Sequence, residues 1–332
     1  MAKMSVFLFE FATCAEGLPE HIAVEGLAMF KSLYNGFTRF TDVNSFLNRK
    51  YVHLFSLRAS HDWNQDFVEF VEMSEHSLII APEDDGLLHS LTSIAEKASK
   101  NLGSSSKAIA VTMDKWRLYK EIKDKVTVPE TSKSALDGEY IVKPRISCGG
   151  DGIRFGGDVE DGFIAQRYIG GQHLSVSLIV GDDIHVLSVN QQILEDFRYR
   201  GAIVPADIDR NVMKVVAEEA VRAVECIKGL FGYVGVDVVL SDGRPYIIEI
   251  NARATTPCVA IPLALDLNLA ELIYLNFYRE RITIPDYREL KKRITLVKSH
   301  ENPSEPSKPA NTYISVGESS IHLFERQKVG AG

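Results

Sequence analysis

The chain has 332 residues, 45% hydrophobic and 25% charged, enough to bury a sizeable core in two or three compact units. A formal charge of -8 argues against nucleic acid as a partner, because phosphate backbones are held by basic surfaces that release counterions. No stretch approaches the roughly 20 apolar residues that span a bilayer, and the apolar run after Met1 carries Glu10 in place of a leader's basic flank and cleavage site, so a cytoplasmic protein without a membrane partner is expected.

Along residues 1–107, short apolar runs alternate with helical patterns: "SVFLFEFA", a helix through "HIAVEGLAMFKSLY", then "YVHLFSL", "SLIIAPE" and "LLHSLTSIAEKASKNLG". This rhythm predicts a small βαβ domain around a parallel sheet. A helix at "TMDKWRLYKEIKDK", with Asp114 as its N-cap, opens a second unit over 108–165, broken at Pro129. Strands follow at "EYIVKPRI", "GIRFGG" and "GFIAQRYI". The third unit, 166–300, continues with "HLSVSLIVGDDIHVLSVNQQIL" and a helix from about Asp209 to Gly229, whose stripe runs from Val212 through Val216, Ala220 and Ala223. Two strands, "YVGVDVVL" and "YIIEINA", flank "SDGRP", and one further helix is expected over "LALDLNLAELIYLNFY". Residues 301–332 read as a proline-rich linker and tail with one possible last strand at "TYISVGESSIHLF". The fold class is therefore mixed α/β (α+β).

The chemistry concentrates in "GVDVVLSDGRPYIIEINARATTP". Alternation along a strand puts Glu249 and Asn251 on one face, with Arg253 on the same face if the strand continues. Asp237, Glu249 and Asn251 are hard oxygen ligands of the kind that hold Mg²⁺ jointly with substrate phosphates, and Arg253 would then stabilise a transferring phosphoryl group. The plainer alternative is a solvated hairpin face, which three polar groups inside strongly apolar strands make costly. For Asp237 and Glu249 to share a face, the loop between them should have odd length. Val236, Val238, Ile248 and Ile250 would then face the core, whereas a two-residue turn would set Asp237 opposite Ile248.

Upstream, Lys143 ends an apolar strand, and Ser147, Gly149, Gly150 and Gly152 follow in a loop whose N–H groups can approach phosphate. No G-K-[ST] follows, so it is not a P-loop. Lys115 sits just after the cap Asp114, where a cation gains nothing from the helix dipole; a phosphate contact and a solvated surface lysine both remain open. The four cysteines, Cys14, Cys148, Cys226 and Cys258, stand far apart without a C-x-x-C pair and are expected as reduced thiols; Cys148 lacks a basic partner and reads as filler. Glu10 and Glu25 are either substrate-facing acids or helix-end residues, and Thr255 and Thr256 either contact the acceptor or cap the next segment.

In this order, the pieces resemble the ATP-grasp superfamily over roughly Ala108 to Pro262. The resemblance implies an N-terminal pre-ATP-grasp domain and two β-rich subdomains enclosing ATP. It also implies two Mg²⁺ ions, replaceable by Mn²⁺, and small-molecule carboxylate and amine substrates; it gives no oligomeric state. Lys115 in "MDKWR" and Lys143 in "IVKP" match the phosphate-binding lysines, Lys143 also assisting catalysis. Residues 147–152 match the phosphate-covering loop, and Gln166, Arg167, Tyr168 and Ile169 match the adenine hinge, with main-chain groups of Arg167 and Ile169 at the adenine edge. Asp237, Glu249 and Asn251 match the metal triad and Arg253 the arginine of E-x-N-x-R. Gln166 and His173 stand where many members carry glutamates. Glutamine still suits the adenine amino group, and His173 is either a ribose contact or a structural residue. More narrowly, "FEFA", "EGLAMF" and "EINARATTP" look like the archaeal tyramine–glutamate ligases of methanofuran biosynthesis. The alternatives are a bicarbonate-activating carboxylase or carbamoyl-phosphate type of ATP-grasp enzyme, and a regulatory ATP-binding module without turnover.

Overall fold

The computed structural model describes residues 5–15, 18–300 and 311–327, the side chain of His300 aside. The strand Ser5–Glu10 is apolar on both faces and almost wholly buried, as a central parallel strand must be. It pairs in parallel with Asp42–Asn44 on one side and His76–Ile80 on the other, and Lys100–Asn101 completes a four-stranded sheet. Phe7, Phe9, Phe46, Phe67 and Phe70 stack and tilt against one another in its core. The apolar segment "YVHLFSL" is not a strand: Arg49–Leu54 is a short 3₁₀ helix, started by Asn48, whose side chain accepts from the Lys50 N–H.

Asp114 caps the helix Lys115–Ile122, accepting from the N–H groups of Trp116 and Arg117, and also pairs with Arg145. A separate helix, Ser106–Thr112, precedes it, which the helical pattern alone did not separate. A small antiparallel sheet follows, ordered Thr131–Ser132, Phe163–Arg167, Tyr140–Pro144, Arg154–Phe155. The chain crosses at 168–171 into an eight-stranded antiparallel sheet. Its order is Arg244–Asn251, Gly232–Ser241, Gln172–Val180, Ile184–Glu195, Arg198–Val204, Lys292–His300, Ser319–Gln327, Thr312–Val316. The helix Arg210–Glu225, capped by Asp209, buries Val216, Ala220 and Ala223 against this sheet.

Three further expectations need correction. The last described segment is a two-stranded hairpin on the edge of the large sheet, not a single strand; the proline-rich run 301–310 lies outside the described residues. The segment "LALDLNLAELIYLNFY" forms two helices, Ile261–Leu265 and Leu269–Phe277. Asp266 turns left-handed (φ 54°, ψ 52°), and Asn268 caps the second by accepting from the Glu271 N–H. Third, the loop between the two site strands has two residues, Asp242 and Gly243, both at positive φ, with Ser241 paired to Arg244. A bulge at Ile248 restores the parity: Val238 faces Ile247, while Asp237 faces Glu249. Accordingly Ile247, not Ile248, joins Val236, Val238 and Ile250 in the core. Among the described residues no helix is long and apolar enough to cross a membrane.

Candidate active site

Asp237 and Glu249 are direct partners across neighbouring strands, with Gly235 opposite Asn251 one step further. Gln192 donates to Asp237 Oδ1 at 2.9 Å, and the Asn251 amide to Oδ2 at 3.4 Å. Burial, and then the charge of Glu249 beside it, push the Asp237 carboxyl up to about 7. From the small sheet, Lys143 reaches the same place. It is almost fully buried, and among the described residues its ammonium has no hydrogen-bond partner. Burial and the nearby charge of Lys115 lower Lys143 to about 8, against the pull of Glu249 and Asp237. Lys115 ties the parts together: its ammonium donates to the Ser147 carbonyl at 2.7 Å and lies 3.5 Å from Glu249 Oε1.

The glycine-rich loop turns left-handed at Gly149, Gly150 and Gly152. Gly150 can carry no side chain, because a Cβ there would stand 2.3 Å from the Phe197 carbonyl oxygen on the large sheet's Asp196–Phe197 turn. Cys148 donates its thiol to Asp84 Oδ2 at 2.8 Å; burial pushes the thiol well up, so it is a held filler and not a nucleophile. All four cysteines are free.

The hinge residues divide. Gln166 is buried and donates to Thr131 Oγ1 at 3.1 Å, while the Arg167 side chain turns outward to Glu130 and the Asp137 carbonyl. Tyr168 and Ile169 lie in the crossing between the sheets, with the Tyr168 ring edge-on to Phe155 at 5.0 Å. His173 is half-buried opposite Val239, and burial lowers its pKa.

Arg253 lies within electrostatic reach of Asp237 and Glu249, but strand alternation does not put it there. The strand ends at Asn251, and the Arg253 guanidinium makes a bidentate pair with Glu83, both bonds 2.8 Å, in the loop after His76–Ile80. Sequence reading missed Glu83, Asp84 and Gln192; "APEDDG" carries an acidic cluster but nothing to say which strand end it meets. Glu10 takes the helix-end alternative, capping Phe11–Cys14 through the Ala12 and Thr13 N–H groups, with burial raising its carboxyl to about 7. Thr256 donates to Glu25 at 3.0 Å, and Thr255 lies 3.3 Å from the Tyr233 hydroxyl.

A divalent cation shared with phosphate fits this donor set. Two opposed carboxylates, one of them with its pKa raised by burial and by the charge of the other, gain most from such an ion. Among the described residues no three His, Cys, Asp or Glu side chains cluster as a self-sufficient cage. Two carboxylates and an amide leave coordination positions to phosphate oxygens and water, the pattern Mg²⁺ prefers.

Two buried lysines beside this acidic pair, Lys143 from the small sheet and Lys115 from the first turn of its helix, suit a nucleoside triphosphate, and comparison with known proteins agrees. The ATP-grasp domain family matches residues 112–257, and the pre ATP-grasp 3 domain matches residues 40–109. The chain is an ATP-dependent carboxylate–amine ligase of the ATP-grasp class. It is 36% identical over 290 residues to a tyramine–L-glutamate ligase of Methanocaldococcus fervens, covering 84% of this chain and 96% of that one. It therefore belongs to the family of these ligases. A crystal structure of an ATP-grasp superfamily protein from Archaeoglobus fulgidus superimposes with a TM-score of 0.86 at 46% identity, over 98% of this chain and 100% of that one. Biotin carboxylase of Campylobacter jejuni, solved as a complex with β,γ-ATP, shares the fold at a TM-score of 0.71 and 14% identity, over 97% and 87% of the two chains.

Lys143→Ala is expected to weaken binding of a non-hydrolysable ATP analogue by on the order of 10- to 100-fold in calorimetry, the worth of one charge-assisted contact. Because the Lys143 pKa is lowered to about 8, the wild-type affinity should fall as pH rises from 7 to 9.5, with proton uptake on binding. An affinity that is flat over this range would take Lys143 off the phosphates.

Proposed function

We propose that this chain joins the side-chain carboxylate of glutamate to the amine of tyramine, in methanofuran biosynthesis, at the expense of ATP. The observation that carries the reading is the Asp237–Glu249 pair held against Lys115 and Lys143, in a chain alignable with almost the whole length of a ligase of that name. The four free cysteines suit a reducing cytoplasm.

Lys115 and Lys143 bind the phosphates, the 147–152 loop covers them through its N–H groups, and the hinge at 166–169 receives the adenine. Asp237, Glu249 and Asn251 would hold Mg²⁺, one ion or two, with Mn²⁺ able to substitute; when bound, it neutralises phosphate charge and polarises the γ-phosphoryl group. Lys143 and Arg253 face the charge that develops on the transferred group. A substrate carboxylate oxygen attacks the γ-phosphorus and ADP leaves. The amine then attacks the acyl carbon of the acyl phosphate, phosphate departs, and the nitrogen loses a proton.

With ¹⁸O in the acceptor carboxylate, one label should appear in the released phosphate by mass spectrometry. Unlabelled phosphate would rule the acyl-phosphate route out. A carboxylase or carbamoyl-phosphate enzyme would instead release ADP on addition of bicarbonate without glutamate, and a regulatory module would bind ATP and release none.

A further inference from the structure

Three segments far apart in the chain meet on one face of the large sheet. Glu25 comes from the helix Glu20–Phe37, Thr256 from the turn after the site strand, and Lys298 from the strand Lys292–His300. Thr256 donates to one Glu25 oxygen and Lys298 pairs with the other, with the Lys298 side chain 8% exposed and that of Glu25 20%. A strip of polar side chains runs from this pair to the metal-binding carboxylates. In the ladder Ser175 lies opposite Asp237 on one side and Asn190 on the other, so all three share a face, and Gln192 one pleat along donates to Asp237. Tyr199, paired with Leu194 at the next bulge, lies within electrostatic reach of both Glu25 and Asp237.

This strip is unsatisfied as it stands. Asn190 donates to Ser175 and Ser177, yet its Oδ1 atom has no partner, and neither does the Tyr199 hydroxyl, although both atoms are fully buried. Each such group costs free energy that apolar residues at the same pleat positions would avoid, so fold stability does not account for the polarity of the strip.

We propose that the strip is the subsite for the acid substrate, and that it selects an α-amino acid by its zwitterionic head. Lys298 takes the α-carboxylate and Glu25 the α-ammonium, with Tyr199 between this head group and Asp237, towards which the side-chain carboxyl extends. The inference rests on the ligase reading above. One cation and one anion side by side match a zwitterion; a simple dicarboxylate would meet Glu25 unfavourably, and an aryl amine would find hydroxyls and amides where it needs apolar walls. Because Glu25 and Lys298 neutralise each other in the free protein, neither charge is left buried alone before the substrate arrives.

The test measures ADP release at saturating tyramine with glutamate, glutarate (no α-amino group) and 4-aminobutyrate (no α-carboxylate). Lys298→Met should raise the KM for glutamate on the order of 10- to 100-fold and move that for 4-aminobutyrate little. Glu25→Gln should erase most of the preference for glutamate over glutarate. In both, the KM for ATP should stay near wild type, and Tyr199→Phe and Lys298→Arg, which preserve shape or charge, should give severalfold intermediate effects. An unchanged glutamate KM in Lys298→Met and Tyr199→Phe, or a KM for ATP that rises in step, would overturn the subsite while leaving the ligase reading intact. Wild-type protein that releases ADP with none of the twenty amino acids plus tyramine would overturn both.

Discussion

Asp237→Asn should lose about a thousandfold in turnover and yet yield a more stable protein in the absence of nucleotide and metal. The first half follows from removing one of two carboxylates opposed across the site strands, since metal neutralisation of a transferring phosphoryl group contributes several kcal/mol to the transition state. The second half follows from linkage. The Asp237 carboxyl sits near 7 in the folded chain because of burial and Glu249, against an ordinary value of 3.8. The folded state therefore binds more protons than the unfolded state between about pH 4 and 7, and stability falls as pH rises through that window, staying reduced above it. Asparagine carries no charge to bury. Discounted for the solvent the carboxyl still touches, the gain at pH 8 should be about 1–3 kcal/mol by urea denaturation, fading towards pH 4. Glu10, raised to about 7 by burial, leaves a residual slope of the same sign in the variant. A variant less stable than wild type at pH 8, or equally active, would mean that Asp237 is a structural acid and not a strained ligand.

That strain was only partly legible from the residues. Alternation placed Glu249 and Asn251 on one face, and local sequence made Asp114 visible as a cap, because these effects act within a few residues. The Asp237–Glu249 pairing was also right, but by a different route: the hairpin kept its favoured two-residue turn and placed the extra residue at Ile248. A bulge has no sequence signature of its own, since it is decided by which face must be buried. The same holds for "YVHLFSL", whose β-branched and aromatic residues suit a strand until Asn48 offers a helix cap and Tyr51 finds a buried place. The strand Lys292–His300 and the closing hairpin gain their stability from one another, which local pattern cannot register.

Glu83 is the clearest case, and it carries the other large effect. Its partner Arg253 lies 170 residues away, and the pair is bidentate, with Glu83 buried and Arg253 nearly so, linking the loop after the parallel sheet to the end of the strand that carries Glu249 and Asn251. Removing one member of such a pair leaves the other charge without compensation, which typically costs about 3–5 kcal/mol, while removing both costs less than the sum. Glu83→Gln and Arg253→Ala should therefore each destabilise by about 2–4 kcal/mol in urea denaturation, and the double variant should fall short of additivity by roughly 2 kcal/mol. Turnover should separate the partners where stability does not. Arg253→Ala removes the cation proposed to face the developing phosphoryl charge and should cost about a thousandfold in kcat, while Glu83→Gln keeps the guanidinium, loses only its orientation, and should cost roughly tenfold. Equal losses of kcat in the two, measured well below their unfolding temperatures, would make the pair a structural clamp and remove Arg253 from the chemistry.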